Sequence, residues 1–123
     1  MNKPVRVVLL GEADTAFKKL NEIVGKQISL GKESSDEIQL LKSVKQKIDF
    51  IKANPFYGDP IKKELIPEEY QKYYHATNLF RVELSGFWRM IYTLKGDHIE
   101  IVAFILDIID HPSYDKKFGY RKR

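Results

Sequence analysis

Residues 79–109 read LFRVELSGFWRMIYTLKGDHIEIVAFILDII, and the alternation within them decides the fold. Apolar and polar side chains change sides every second residue, which is the period of a β-strand. Ser85-Gly86 and Lys95-Gly96-Asp97 interrupt the run where a chain can turn tightly. Three strands are expected, Leu79 to Leu84, Phe87 to Leu94 and His98 to Ile109, joined as an antiparallel meander. On the first strand Leu79, Arg81 and Glu83 share a face, and on the second Phe87, Arg89, Ile91 and Thr93 do. Phe80, Val82, Leu84, Trp88, Met90, Tyr92 and Leu94 take the opposite side, so one face of the sheet is strongly apolar and the other is mixed.

Upstream of the meander the period lengthens. Val5 to Leu10 is a short β-branched run that reads as a buried strand. Asp14 or Thr15 can then cap a helix whose apolar positions Phe17, Leu20, Val24 and Ile28 recur at helical spacing. Gly31 breaks it, and Ser34 with Glu37 forms a capping box for a second helix carrying Ile38, Leu41, Val44, Ile48 and Ile51. Asn54-Pro55 ends that helix. The two stripes are core-packing faces of an antiparallel helical hairpin lying on the sheet. Residues 55–78 hold three prolines and four tyrosines without a sustained period, so a loop is expected there, with one short helical turn after Pro67. The chain is therefore an α+β protein, and residues 1–123 form a single domain.

The 123 residues are 43% hydrophobic and 31% charged, a globular balance and not that of a disordered chain. There is no cysteine, which excludes thiol nucleophiles, disulfides and thiolate metal sites. No run approaches the roughly 18 apolar residues of a membrane span, and the first apolar run reads as a strand, so no signal peptide and no membrane association are expected. A reducing cytoplasm fits. The formal charge is +4 and the pI about 9.2. Lys116, Lys117, Arg121, Lys122 and Arg123 make the end of the chain basic, either as a site for phosphate or an acidic partner or as a solubilising tail.

Phosphate-binding glycine loops, nucleophile elbows and zinc-binding motifs are absent from the sequence. His75, His98 and His111 lack metal-ligand spacing, so no metal and no cofactor are expected. An arginine inside a strand is costly without a partner or a purpose. Arg81 and Arg89 lie on adjacent strands where they can approach on one face, and with Glu83 they make either a structural ion network or an anion site. His111 and Tyr114 follow the last strand directly. A histidine and a tyrosine can move protons, and an arginine can stabilise charge on a phosphate, which are the parts of an RNase. The plainer alternative is a His-Pro turn with a surface tyrosine.

The order strand, helical hairpin, meander and basic tail, with FRVEL, FWRMIY and then IVAFILDIIDHPSYDK, resembles the RelE/ParE superfamily of type II toxins. The tail HPSYDK is similar to that of its HigB-like branch. The resemblance implies a twisted antiparallel sheet with two N-terminal helices packed on one face. It also implies metal-independent cleavage of mRNA in the ribosomal A site and an antitoxin partner that covers the basic face. Carried over, Arg89 in the RxxY strand contacts the scissile phosphate, and His111 and Tyr114 act in proton transfer or base stacking. Arg81, Lys62, Lys63, Lys116 and Lys117 then bind RNA, Lys62 and Lys63 by position alone. A ParE-like topoisomerase inhibitor or a degenerate binding module is the alternative within the same resemblance. Asp107 and Asp110 beside the site depart from a purely basic surface.

Overall fold

A computed structural model describes residues 3–119. The elements run β1 (Val5–Leu9), α1 (Gly11–Ser29), α2 (Asp36–Ala53), β2 (Asp59–Pro60), α3 (Glu68–Tyr74), β3 (Phe80–Glu83), β4 (Arg89–Gly96), β5 (Ile101–Ile109) and α4 (His111–Phe118). The sheet order is β1-β5-β4-β3-β2. The meander is antiparallel as expected, and the added strand β1 lies parallel to β5, with Val5 beside Ile101 and Leu9 beside Ile105. Parallel neighbours require a long connection, which here is everything from α1 to β4. The sheet is thus mixed at this one pair. Arg121, Lys122 and Arg123 of the basic tail lie outside the described residues.

The α1–α2 hairpin covers the apolar face. Leu20, Val24, Leu41, Val44 and Ile51 meet Phe80, Val82, Met90, Tyr92, Ile105 and Ile108 there. Ile28, the last position of the expected α1 stripe, is 58% exposed and stands outside this core. The mixed face carries a second, smaller core in which Tyr70 of α3 and Tyr114 and Phe118 of α4 close over Leu79, Ile91 and Leu106. Both faces of β5 are therefore covered, which accounts for its nearly continuous apolar run.

A bulge in β5 sorts the residues between the two layers. Pairing passes from Ile91 opposite Asp107 to Tyr92 opposite Ile105, which leaves Leu106 without a partner on β4. Two successive residues then serve the same face: Leu106 and Asp107 both join the α3/α4 side, while Ile105 and Ile108 face the hairpin. Simple alternation would have turned the Asp107 carboxylate into the main core.

The helix starts differ from expectation by a few residues. Ser35, not Ser34, caps α2, its hydroxyl accepting from the Ile38 amide at 3.0 Å. α1 begins at Gly11, so Asp14 and Thr15 lie inside it, and Leu10 at the cap position supplies no side-chain acceptor. The Tyr74 hydroxyl, arriving from α3, lies against the start of the helix at Gly11. Gly11 has φ +49°, and a Cβ there would strike that hydroxyl. Gly11→Ala is expected to lower stability by about 1–3 kcal/mol through left-handed strain and displacement of Tyr74. Urea unfolding checks this, and an unchanged midpoint would show that neither the strain nor the Tyr74 contact carries weight there.

The β3–β4 connection is also displaced by one residue. Gly86 and Phe87, with φ of 67° and 64°, are the two central residues of the turn, and the Ser85 carbonyl accepts from the Trp88 amide at 3.4 Å. β4 starts at Arg89, so Phe87 belongs to the turn and not to the strand.

Candidate functional site

The strand register brings the two arginines together. Arg89 pairs across the ladder with Glu83, and Arg81 with Asp59 on one side and Ile91 on the other. Arg81 and Arg89 are thus diagonal neighbours on one face, a separation that long side chains bridge. Tyr114, held beneath them by α4, is their meeting point. The Arg81 Nη1 donates to the Tyr114 hydroxyl at 3.2 Å, and the Arg81 and Arg89 guanidinium carbons lie 5.9 and 5.2 Å from the centre of its ring. Arg89 also donates from Nη1 to the Phe87 carbonyl at 2.9 Å. Its Nε is buried and has no hydrogen-bond partner among the described residues.

The carboxylates facing these cations hold them loosely. Asp59 lies 3.6 Å from Arg81 and Glu83 4.0 Å from Arg89, and both acidic side chains are mostly exposed. Ion pairs of this kind contribute little. An oxyanion that offers two oxygens to one guanidinium makes shorter, charge-assisted bonds and can replace them. Between the two alternatives left open by the sequence, this geometry favours an anion site with acidic residues at its rim.

Tyr114 is 1% exposed and stacks on Phe118 at 4.4 Å on one side, with the guanidiniums over the ring. It has no open face for a base. The polar group it brings to the two arginines is its hydroxyl. Tyr92, which completes the RxxY strand, points to the other face, where its hydroxyl donates to the Pro55 carbonyl at 2.7 Å and accepts from the Gly58 amide at 2.9 Å.

His111 opens α4. Asp110 caps the helix, its carboxylate accepting from the Ser113 amide at 2.9 Å, and that bond holds its pKa below the ordinary range. Asp110 is therefore engaged by the backbone. Arg89 lies opposite Ile109, only two residues before His111, so the histidine backbone comes within about 8 Å of the Ile109 position. The imidazole is half exposed, and its Nε2 lies 3.2 Å from Asp115.

Lys117 does not serve as an open phosphate hook. It is bound to Glu69 on α3 and lies 3.4 Å from Asp107, whose carboxylate accepts from the Tyr70 hydroxyl at 2.6 Å. Burial pulls the Lys117 ammonium down, but the two carboxylates outweigh it and its pKa is raised. Burial raises the Asp107 pKa against the opposing effects of Tyr70 and Lys117. Burial, and then the neighbouring carboxylate, keep Tyr70 protonated. These groups tie α4 to α3 and β5. Their sequence signal was weak, since they lie on three separate elements, and only the lone Asp107 in an apolar strand hinted at them.

Lys62, Lys63 and Lys116 are exposed and form no ion pair among the described residues. Among those residues no three His, Asp or Glu side chains gather as metal ligands, and no helix is long and apolar enough to cross a membrane. A cavity of about 710 Å³ lies on the other face, between α1, α2 and the β3–β4 turn, lined by Leu20, Ile23, Leu40, Trp88 and Ile108. It lacks the converging cations of the arginine cluster.

No family model and no curated protein matches the chain. The solved structure of a YoeB/ParE toxin from Agrobacterium tumefaciens superposes on it with a TM-score of 0.56. The likeness covers 86% of this chain and 98% of that one. This chain has the fold of a YoeB/ParE toxin. At 11% identity the two sequences share the architecture and little else. In this toxin fold, the added layer of α3 and α4 is what carries Tyr114 beneath the arginine pair.

Proposed function

We propose that the chain is the toxin of a type II toxin-antitoxin system, of the HigB-like kind, and a metal-independent endoribonuclease that cuts mRNA at the ribosome. The observation that carries this reading is the convergence of Arg81 and Arg89 on Tyr114, one short step along the chain from an exposed histidine. Arg89 and Arg81 bind the scissile phosphate and stabilise the charge that builds on it. His111 takes the proton of the ribose 2′-hydroxyl, the O2′–P bond forms and the P–O5′ bond breaks. The Tyr114 hydroxyl, released from Arg81 as the phosphate takes over that guanidinium, protonates O5′. The products are a 2′,3′-cyclic phosphate and a 5′-hydroxyl. Lys62, Lys63 and Lys116 add attraction for the RNA backbone. The cognate antitoxin is a protein that covers this basic face, and the cytoplasm is the compartment where both occur.

His111→Ala is expected to lower mRNA cleavage by about 10²-fold in a purified translation mix containing EDTA, with binding retained. A wild type that cuts nothing under these conditions, or that stops cutting on chelation, would refute the proposal and favour a ParE-like inhibitor of a topoisomerase.

A further inference from the structure

We infer that Phe87 is a base-stacking residue, which seats the nucleotide next to the phosphate held by Arg89. This rests on the endoribonuclease reading of the arginine cluster. The β3–β4 loop is Ser85-Gly86-Phe87, closed by the Leu84 amide on the Trp88 carbonyl, and a Cβ is strained at each of its positive-φ positions. Gly86, at φ 67°, carries no Cβ to be strained, whereas Phe87, at φ 64°, does. Among the described residues only His75 shares a positive φ without being glycine, and it ends a helix, where that conformation is routine. A left-handed phenylalanine in a tight turn is an outlier.

Packing does not repay that strain. The Phe87 side chain is 75% exposed, so it gains almost no burial. The turn itself is well anchored: the Leu84 amide donates to the Trp88 carbonyl at 2.8 Å, and the Ser85 amide donates to the Ser43 hydroxyl of α2 at 3.3 Å. The same residue's carbonyl fixes the Arg89 guanidinium at 2.9 Å. A rigid turn therefore holds one aromatic ring in solvent and one phosphate-binding guanidinium by a common residue. Strain retained by a well-supported backbone belongs to functional positions. An exposed ring beside a cationic phosphate site is the arrangement that single-stranded RNA recognises, the phosphate on arginine and the unstacked base on the ring. Tyr114, buried as it is, leaves that stacking role open.

The test is binding of a fluorescein-labelled 2′-O-methyl RNA octamer, which cannot be cut, read by anisotropy. Phe87→Ala is expected to weaken binding about 5- to 150-fold, and Phe87→Trp to restore it. An abasic residue at one position of the octamer should cost the wild type as much as removing the ring, and should cost Phe87→Ala nothing further. Phe87→Gly, freed of the strain, should unfold at no lower denaturant concentration than the wild type, which separates lost binding from lost fold. If Phe87→Ala binds the octamer like the wild type while Arg89→Ala does not, the stacking role is overturned and the RNA site stands. If the wild type binds no RNA, both fall together. If Phe87→Ala instead abolishes self-association in sedimentation with RNA binding intact, the ring docks a second copy of the chain and the stacking role is again overturned.

Discussion

Arg89→Ala is expected to lower cleavage of mRNA by about 10³-fold, near the upper end for removing one preorganised donor from a developing oxyanion. The size follows from what holds the side chain. Its guanidinium is fixed by the Phe87 carbonyl and the Tyr114 ring before any substrate arrives, and its buried Nε lacks a hydrogen-bond partner among the described residues. A phosphate entering the cluster meets a cation that needs no reorganisation. Arg89→Lys should recover little of the loss, because an ammonium cannot bond the carbonyl, lie flat on the ring and present a fork to the phosphate at once. Glu83 faces the cation only loosely, so the substitution should leave the fold intact. The measurement is cleavage in a purified translation mix with EDTA, alongside circular dichroism and urea unfolding. Cleavage by a folded Arg89→Ala protein at the wild-type rate would remove the arginine cluster from the reaction.

The largest loss of stability is expected for Lys117→Ala, about 3–5 kcal/mol, because it strips the cation from a buried carboxylate. Asp107 is 4% exposed and would keep only the Tyr70 hydroxyl. Such a loss is a large share of a domain's total stability. Lys117→Met combined with Asp107→Asn should recover most of it, since both charges are then gone and the amide oxygen still accepts from Tyr70. The pH dependence is diagnostic. Burial already raises the Asp107 pKa above its ordinary 3.8, and without Lys117 it rises further. A carboxyl whose folded pKa is raised is accommodated below its unfolded pKa and becomes costly as pH climbs through the folded value. The deficit of Lys117→Ala should therefore be largest at neutral pH and shrink toward pH 4. Urea unfolding at several pH values checks this, and a deficit independent of pH would show that Asp107 is not the group left stranded. The substitution should also loosen α4, and with it the placement of Tyr114.

Local patterning carried the larger part of the fold. Period-two alternation over residues 79–109 and the helical stripes of α1 and α2 specified the meander, the hairpin and the two faces of β3 and β4, because burial of one face dictates which residue types tolerate it. Glycines and prolines located the breaks to within a few residues. The same alternation put Arg81 and Arg89 on one face, and His111 and Tyr114 were legible as a pair directly after the last strand.

What the sequence left open turned on residues far apart in the chain. The parallel pairing of β1 with β5, the bulge that turns Asp107 away from the main core, and the packing of Tyr74 against Gly11 at the start of α1 each join segments dozens of residues apart. Lys117 reads in sequence as one more basic residue of the tail, and only its packing against Glu69 and Asp107 makes it structural. Phe87 reads as a strand residue until the turn claims it. The sequence by itself determined the meander, the helical hairpin and the chemical groups available, but not β2 or the helix α4 that replaces the expected His-Pro turn and tail. The tertiary structure decided which of those groups meet, because hydrogen bonds, ion pairs and ring contacts act over a few ångströms in space, and separation along the chain does not constrain them.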